Sequence, residues 1–116
     1  MEKFSNGLQN KEKFLVKVIP LKKSYMKSIL IFGAGKSATW LIEYLGKCCE
    51  EKNWKLVVSD SDLALAQSKI KGCKAAVAIS TDAGNDAERK PIIQQAVIVI
   101  SMLPPHLHFL VAQDCI

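Results

Sequence analysis

At 116 residues the chain has room for one domain with a modest core. Apolar residues make up 49% and no unbroken apolar run nears the roughly 18 residues of a membrane helix, which excludes both a disordered chain and a membrane-spanning one. The formal charge of +5 sits in residues 1–27, with seven lysines against Glu2 and Glu12, whereas residues 28–116 balance nine basic against nine acidic side chains; a nucleic-acid groove needs clustered charge on the domain itself, so nucleic acid is not the expected partner.

Residues 1–25 differ in pattern from the rest of the chain. "MEKFSNGLQNKEKF" is polar, and the apolar run in "LVKVIPLKKSY" is interrupted by Lys17 and Pro20. Met26 and Lys27 stand just before the first strand pattern, so 1–25 is expected to be an added basic leader or disordered tail, and 26–116 the domain. The alternative is an edge strand over 14–19, ended by Pro20. A mitochondrial leader fits poorly, because the segment lacks arginine and carries two glutamates.

From Ser28 onward strand and helix periods alternate. Residues 29–32 are uniformly apolar, as in a strand buried on both faces. Residues 35–52 carry Ala38, Leu41, Ile42 and Leu45 at helical spacing. "WKLVVS" (54–59) is a second strand. Residues 60–71 form a second helix with Leu63, Ala66 and Ile70 on one face, capped by Asp60 or Ser61 and stopped by Gly72. "AAVAI" (75–79) is a third strand, 86–95 a shorter helix burdened by Pro91, "VIVIS" (97–101) a fourth strand, and 104–116 a further helix. This alternation forces parallel pairing with right-handed crossovers. The expected fold is α/β: a Rossmann-like open parallel sheet flanked by helices, truncated after the fourth strand and its helix. Such sheets take ligands beyond the C-terminal ends of their strands.

Cys48, Cys49, Cys73 and Cys115 make no C-x-x-C pair, and no histidine stands at zinc-ligand spacing from them. With no secretory signal ahead of them, they read as reduced thiols in a cytoplasmic protein, and no metal site is expected.

The first strand end carries the chemistry. In "ILIFGAGKSATWLIEYL" Gly33 closes the strand and Gly35 opens the helix. Without Cβ atoms there, a phosphate could approach the backbone, and the free N–H groups of the helix start favour negative charge. The pattern Gly33-Ala34-Gly35-Lys36-Ser37-Ala38 matches a dinucleotide fingerprint whose third position is alanine, a site that governs helix–strand packing. Ser37 could add a hydroxyl and Lys36 a charge. Asp60 lies at the tip of "KLVVSD", where an acidic side chain accepts from a ribose 2′-hydroxyl and repels a 2′-phosphate; NAD is therefore favoured over NADP. Ser61 stands beside it. Asp82, past the third strand, reads equally as an adenine contact or as a turn residue with Gly84. At the fourth strand end, the backbone of Ser101, Met102 and Leu103 would border the nicotinamide side, with Pro104-Pro105 opening the next helix. His106 is a lesser candidate to face the cofactor, and His108 reads as packed or solvated.

Together "ILIFGAGKSATWLIEYL" and "VISMLPPHLHFLVAQDCI" resemble the N-terminal cofactor domain of the saccharopine dehydrogenase family, over residues 26–116. That family comprises NAD(P)-dependent oxidoreductases. Its glutamate-forming members condense glutamate with aminoadipate semialdehyde and reduce the imine, or run the reverse, in lysine metabolism. The resemblance implies cofactor roles for Gly33, Gly35, Lys36, Ser37, Asp60 and Ser101–Pro104. Some relatives carry arginine in place of Asp60 and prefer NADP. The loop 80–87 is longer than usual, which loosens the match of Asp82. Family enzymes continue for several hundred residues, so this chain looks like a cofactor-binding fragment that binds without turnover, its catalytic residues and any homo-oligomer contact lying beyond residue 116. The rival reading is a dinucleotide-sensing module of the transporter type; a third is a plain structural α/β domain.

Overall fold

The computed structural model describes Glu2–Phe4, Val16–Val18 and residues 26–116. The elements in order are β1 (Glu2–Phe4), β2 (Val16–Val18), β3 (Ser28–Phe32), a 3-10 turn (Lys36–Ala38), α1 (Thr39–Lys52), β4 (Lys55–Asp60), α2 (Leu63–Lys69), β5 (Ala76–Ser80), α3 (Asp86–Gln95), β6 (Ile98–Ser101) and α4 (Pro105–Cys115). The rest of the expected leader, residues 1, 5–15 and 19–25, lies outside the described residues, as do Phe14 and Ile19 of the alternative edge strand.

The strands form one sheet in the order β1-β2-β6-β3-β4-β5. Strands β6, β3, β4 and β5 are parallel, while β2 runs antiparallel to β6, with Lys17 opposite Val99, and β1 antiparallel to β2. After β3 the chain steps outward through β4 and β5, then returns to the other side of β3 as β6. The order therefore reverses between β3 and β6, and the connections leaving their C-terminal ends run to opposite faces of the sheet, the place where open α/β sheets form a ligand crevice. Register aligns one rung at that end: Phe32 pairs with Ser59 on one side and Ser101 on the other, and Ser59 with Ile79. This is the Rossmann-like α/β arrangement expected from the alternating periods.

Alternate residues of the strands feed two cores. Ile29, Ile31, Leu56 and Val58 pack against Ala38, Ile42 and Cys49 of the first helical segment and Ala66 of α2. Leu30, Phe32 and Val99 pack against Ile93 of α3 and Val111 and Cys115 of α4. Burying each such Leu, Ile or Phe contributes about 1.5–3 kcal/mol, which is why the strands read as continuous apolar runs. On the outer face of α1, Trp40 and Tyr44 stack in the open, ring centroids 5.3 Å apart.

Helix ends follow local chemistry. α1 stops at Asn53, which takes the left-handed conformation at φ 61°. α3 starts at Asn85, whose Oδ1 accepts from the N–H groups of Ala87 and Glu88, and continues through Pro91. α2 departs from expectation: it spans Leu63–Lys69, and its cap is Asp62, which accepts from the Leu65 N–H at 3.1 Å. Neither Asp60 nor Ser61 caps it, because β4 runs on to Asp60 and the Asp60 carboxylate is engaged elsewhere.

α3 is fastened to α4 by a buried cation. Arg89, 2% exposed, donates to the carboxylates of Asp86 and Asp114 and, at 2.8 Å, to the Ala83 carbonyl; Lys90 Nζ also reaches Asp114, at 2.8 Å. Burial pushes the Asp114 carboxyl upward, but the hydrogen bonds and charges of Arg89 and Lys90 outweigh it and hold the group below the ordinary carboxylate range. All four cysteines are thiols rather than disulfides. Burial, with Cys73 and Cys48 nearby, pushes Cys49 up to about 11, so it stays protonated at neutral pH. No helix among the described residues is long and apolar enough to cross a membrane.

Candidate functional site

The two glycines of the first turn have different surroundings. Gly33 sits at φ +99°, a conformation that side chains rarely adopt, and a Cβ there would lie 3.0 Å from the Met102 carbonyl oxygen. Its N–H donates to the Ser59 carbonyl at 2.7 Å. Gly33 is thus required by the protein itself, because β3 must turn sharply at the point where β6 passes closest. Gly35 is not so required. It has φ −71° and ψ −173°, extended values open to any residue, and a Cβ there would meet nothing within 4 Å. Neither backbone strain nor packing accounts for it. The space it leaves open lies outside the turn, on the exposed side.

Ala34 and Ala38 on either side are fully buried in the α1-side core, whereas Gly35, Lys36 and Ser37 are exposed. Ala38 fills the packing position that the motif assigns to its third small residue. The helix start has no side-chain cap, and the N–H groups of Gly35, Lys36 and Ser37 donate to no described group. Such a surface of unpaired amides suits an anion, and every solvated donor on it is free to change partner.

Asp60 is brought to this turn from the end of β4. Its Oδ2 accepts from the Ala34 N–H at 2.8 Å and its Oδ1 from the Asp62 N–H at 2.9 Å. The carboxylate therefore bridges the glycine turn and the start of α2. A carboxylate offers about four lone-pair sites, so two remain for hydroxyl donors. Ser61 is exposed, and its carbonyl accepts from Ser80 Oγ at 3.4 Å. Ser59, beside Gly33, has a buried Oγ with no partner among the described residues.

Asp82 stands apart. Its Oδ1 accepts from the Gly84 N–H at 2.9 Å, and its own N–H donates to Glu88. That is the turn arrangement of the two readings the sequence left open, and no hydrogen bond joins Asp82 to the glycine turn.

The end of β6 is joined directly to the end of β3. Met102 N–H donates to the Phe32 carbonyl at 2.8 Å, which carries the β3–β6 ladder one residue past the strands. The Met102 side chain packs into the α1-side core and that of Leu103 into the opposite one. Pro104 is exposed and precedes α4 as its cap residue, without a side-chain bond. His106 is exposed on the first turn of α4. His108 is neither merely packed nor merely solvated: its Nδ1 lies 3.0 Å from Ser101 Oγ, and Ser101 is fully buried. Sequence reasoning missed this pair; the spacing of seven residues, from strand end to the second turn of a helix, was the available signal.

Gly33 and Ala34 thus meet Asp60 and Met102 at the C-terminal ends of β3, β4 and β6, where open α/β sheets take ligands. A separate groove of about 480 Å³, lined by Met26, Trp54, Lys55 and Lys74 among others, lies at the opposite, N-terminal ends of the strands, away from where open α/β sheets take ligands.

A family model described as the saccharopine dehydrogenase NADP binding domain matches residues 29–116. None of the curated proteins compared matches the chain. The family match begins in β3, takes in the glycine turn, Asp60 and the Ser101–Pro104 segment, and runs through α4; the chain is a dinucleotide-binding domain of oxidoreductase type and belongs to the saccharopine dehydrogenase NADP-binding domain family.

Proposed function

We propose that residues 26–116 bind a nicotinamide dinucleotide across the crevice between β3 and β6. The pyrophosphate would lie against the amides of Gly35, Lys36 and Ser37, the adenosine ribose at Asp60, and the nicotinamide half beside Ser101–Pro104. Ser61 would flank the ribose, and Asp82, held in its turn with Gly84, would stand toward the adenine edge. The observation that carries this reading is Gly35, a glycine whose missing side chain leaves open space that no protein atom fills. When bound, the cofactor supplies hydride chemistry; the chain's own residues bind and orient it.

Between the two cofactors we propose a preference for NAD. The Asp60 carboxylate is held toward the turn by two backbone N–H groups, and a 2′-phosphate placed there would face a fixed like charge. The family description names NADP; the proposed preference for NAD rests on Asp60 alone. We further propose a role in oxidoreduction at a C–N bond between amino-acid moieties, in lysine metabolism, in the cytoplasm, with this chain binding cofactor without turning substrate over.

Calorimetric titration with NAD, NADP and ATP tests the reading. NAD is expected to bind more tightly than NADP, and Asp60→Ala to narrow that ratio by about tenfold, the equivalent of one lost charge contact. A preference for ATP would replace the oxidoreductase reading with that of a nucleotide-sensing module. Steady NADH oxidation with glutamate and aminoadipate semialdehyde would overturn the proposal of binding without turnover.

A further inference from the structure

Between β6 and α4, residues Met102–Pro104 form a lip over the β6 side of the crevice. The Met102 and Leu103 side chains pack into the two cores, but the backbone of the lip has few ties of its own. Pro104 and Pro105 have no N–H to give, and the Leu103 N–H donates to no described group. Its backbone is held at one end by the bond from Met102 N–H to Phe32 and at the other by bonds to the Pro104 carbonyl from the N–H groups of Leu107 and His108. Among the described residues, a single side-chain hydrogen bond spans it, between Ser101 Oγ and His108 Nδ1 at 3.0 Å.

The chemistry of that pair is not what stability alone would choose. β6 is otherwise Ile-Val-Ile, and Ser101 ends it fully buried on the rung with Phe32 and Ser59. An apolar residue there would pack as well and need no partner. Instead the hydroxyl is buried and answered by a half-buried histidine from the next helix. The bond fixes the distance between the last residue of the strand and the second turn of α4, and so fixes the arc of the lip. The lip in turn sets the Met102 carbonyl, the atom that a Cβ at Gly33 would strike.

We propose that Ser101 and His108 are positioning residues for the nicotinamide half of the bound dinucleotide. This rests on the dinucleotide reading of the crevice, in which Asp60 places the adenosine over β4 and leaves the other nucleoside over β6. Neither side chain carries the reaction; the pair holds the lip against which the nicotinamide half is oriented.

The test separates the two halves of the ligand. NADH binding is followed by its fluorescence and ADP-ribose binding by calorimetry, with melting temperatures recorded for every variant. Ser101→Ala and His108→Leu are each expected to weaken NADH binding by about tenfold. ADP-ribose, which lacks the nicotinamide half, is expected to bind all variants within about twofold of the wild type. His108→Asn, whose amide reaches the same hydroxyl, should recover NADH affinity to within about threefold. The double variant should be no weaker than either single, because both remove one interaction. Equal losses for NADH and ADP-ribose would make the pair a plain structural brace and overturn the proposal, as would unchanged NADH affinity in the single variants or no recovery with asparagine. A wild-type chain that binds neither ligand would overturn the dinucleotide reading itself, and this inference with it.

Discussion

Gly33 turns its backbone to φ +99° against the Met102 carbonyl, whereas Gly35 has ordinary extended dihedrals and free space around it. The two should therefore answer the same substitution in opposite ways. Gly33→Ala is expected to cost roughly 1–3 kcal/mol of folding stability, from the left-handed backbone and the close carbonyl. Gly35→Ala is expected to change stability by no more than about 0.5 kcal/mol yet to weaken dinucleotide binding by about tenfold or more. Urea denaturation and ligand titration of both variants measure this; a Gly35→Ala protein that binds as well as wild type would leave the open space without a function. The sequence showed both glycines but not the division of labour, because "GAG" does not say which residue passes Met102, far along the chain. Asp60 was legible as the strand-end acid. Its bonds to the Ala34 and Asp62 N–H groups were not, and they add a structural duty: Asp60→Ala should also lose about 1–2 kcal/mol of stability, read from the same denaturation curves.

At the scale of elements, the helical and strand periods located α1, α3, β4 and β6 well, since buried strands and one-sided helices write their burial into residue spacing. Caps were harder. Asp60, Ser61 and Asp62 are all capping types, and only the length of β4 and the pull of the glycine turn on Asp60 leave the task to Asp62. Arg89 was missed altogether. In the polar run "DAERK" it reads as a solvated charge; its burial depends on Asp114, in a different helix. Removing one partner of a buried pair leaves the others uncompensated, so Arg89→Ala is expected to cost about 3–5 kcal/mol, whereas surface Lys90→Ala should cost about 1 kcal/mol or less. The same cluster gives a pH dependence. Asp114 is depressed in the folded state, so its contribution is present above the ordinary carboxylate value of about 4 and is lost as pH falls through the lower folded one. Stability measured by denaturant between about pH 5 and pH 2 should therefore decline, and less of that decline should survive in Arg89→Met, where burial is no longer outweighed by the guanidinium. An unchanged acid slope in that variant would remove Asp114 from the account.

For the whole molecule, alternating periods announced parallel pairing, and crossover handedness restricted the order of the strands. What they could not announce was the antiparallel pairing of β2 with β6, since three residues around Lys17 carry too little pattern to name a partner. The sheet order also has a bearing on how the protein assembles. β3, β4 and β5 each lie beside the strand one helix away in sequence, so that half can zip up through short loops. β6 must come back past all of them to meet β3, with Ile98 opposite Ile29, and β2 must then find β6 from the far end of the chain. The seam between β3 and β6 is thus the longest closure in the parallel sheet and the costliest there in chain entropy. It is also the wall of the crevice. On the proposed placement, the dinucleotide pocket would come into being only when that seam shuts, and a ligand lodged in it would act as a clasp on that closure. Hydrogen exchange should register this as added protection along β6 on binding, with β4 and β5 little altered.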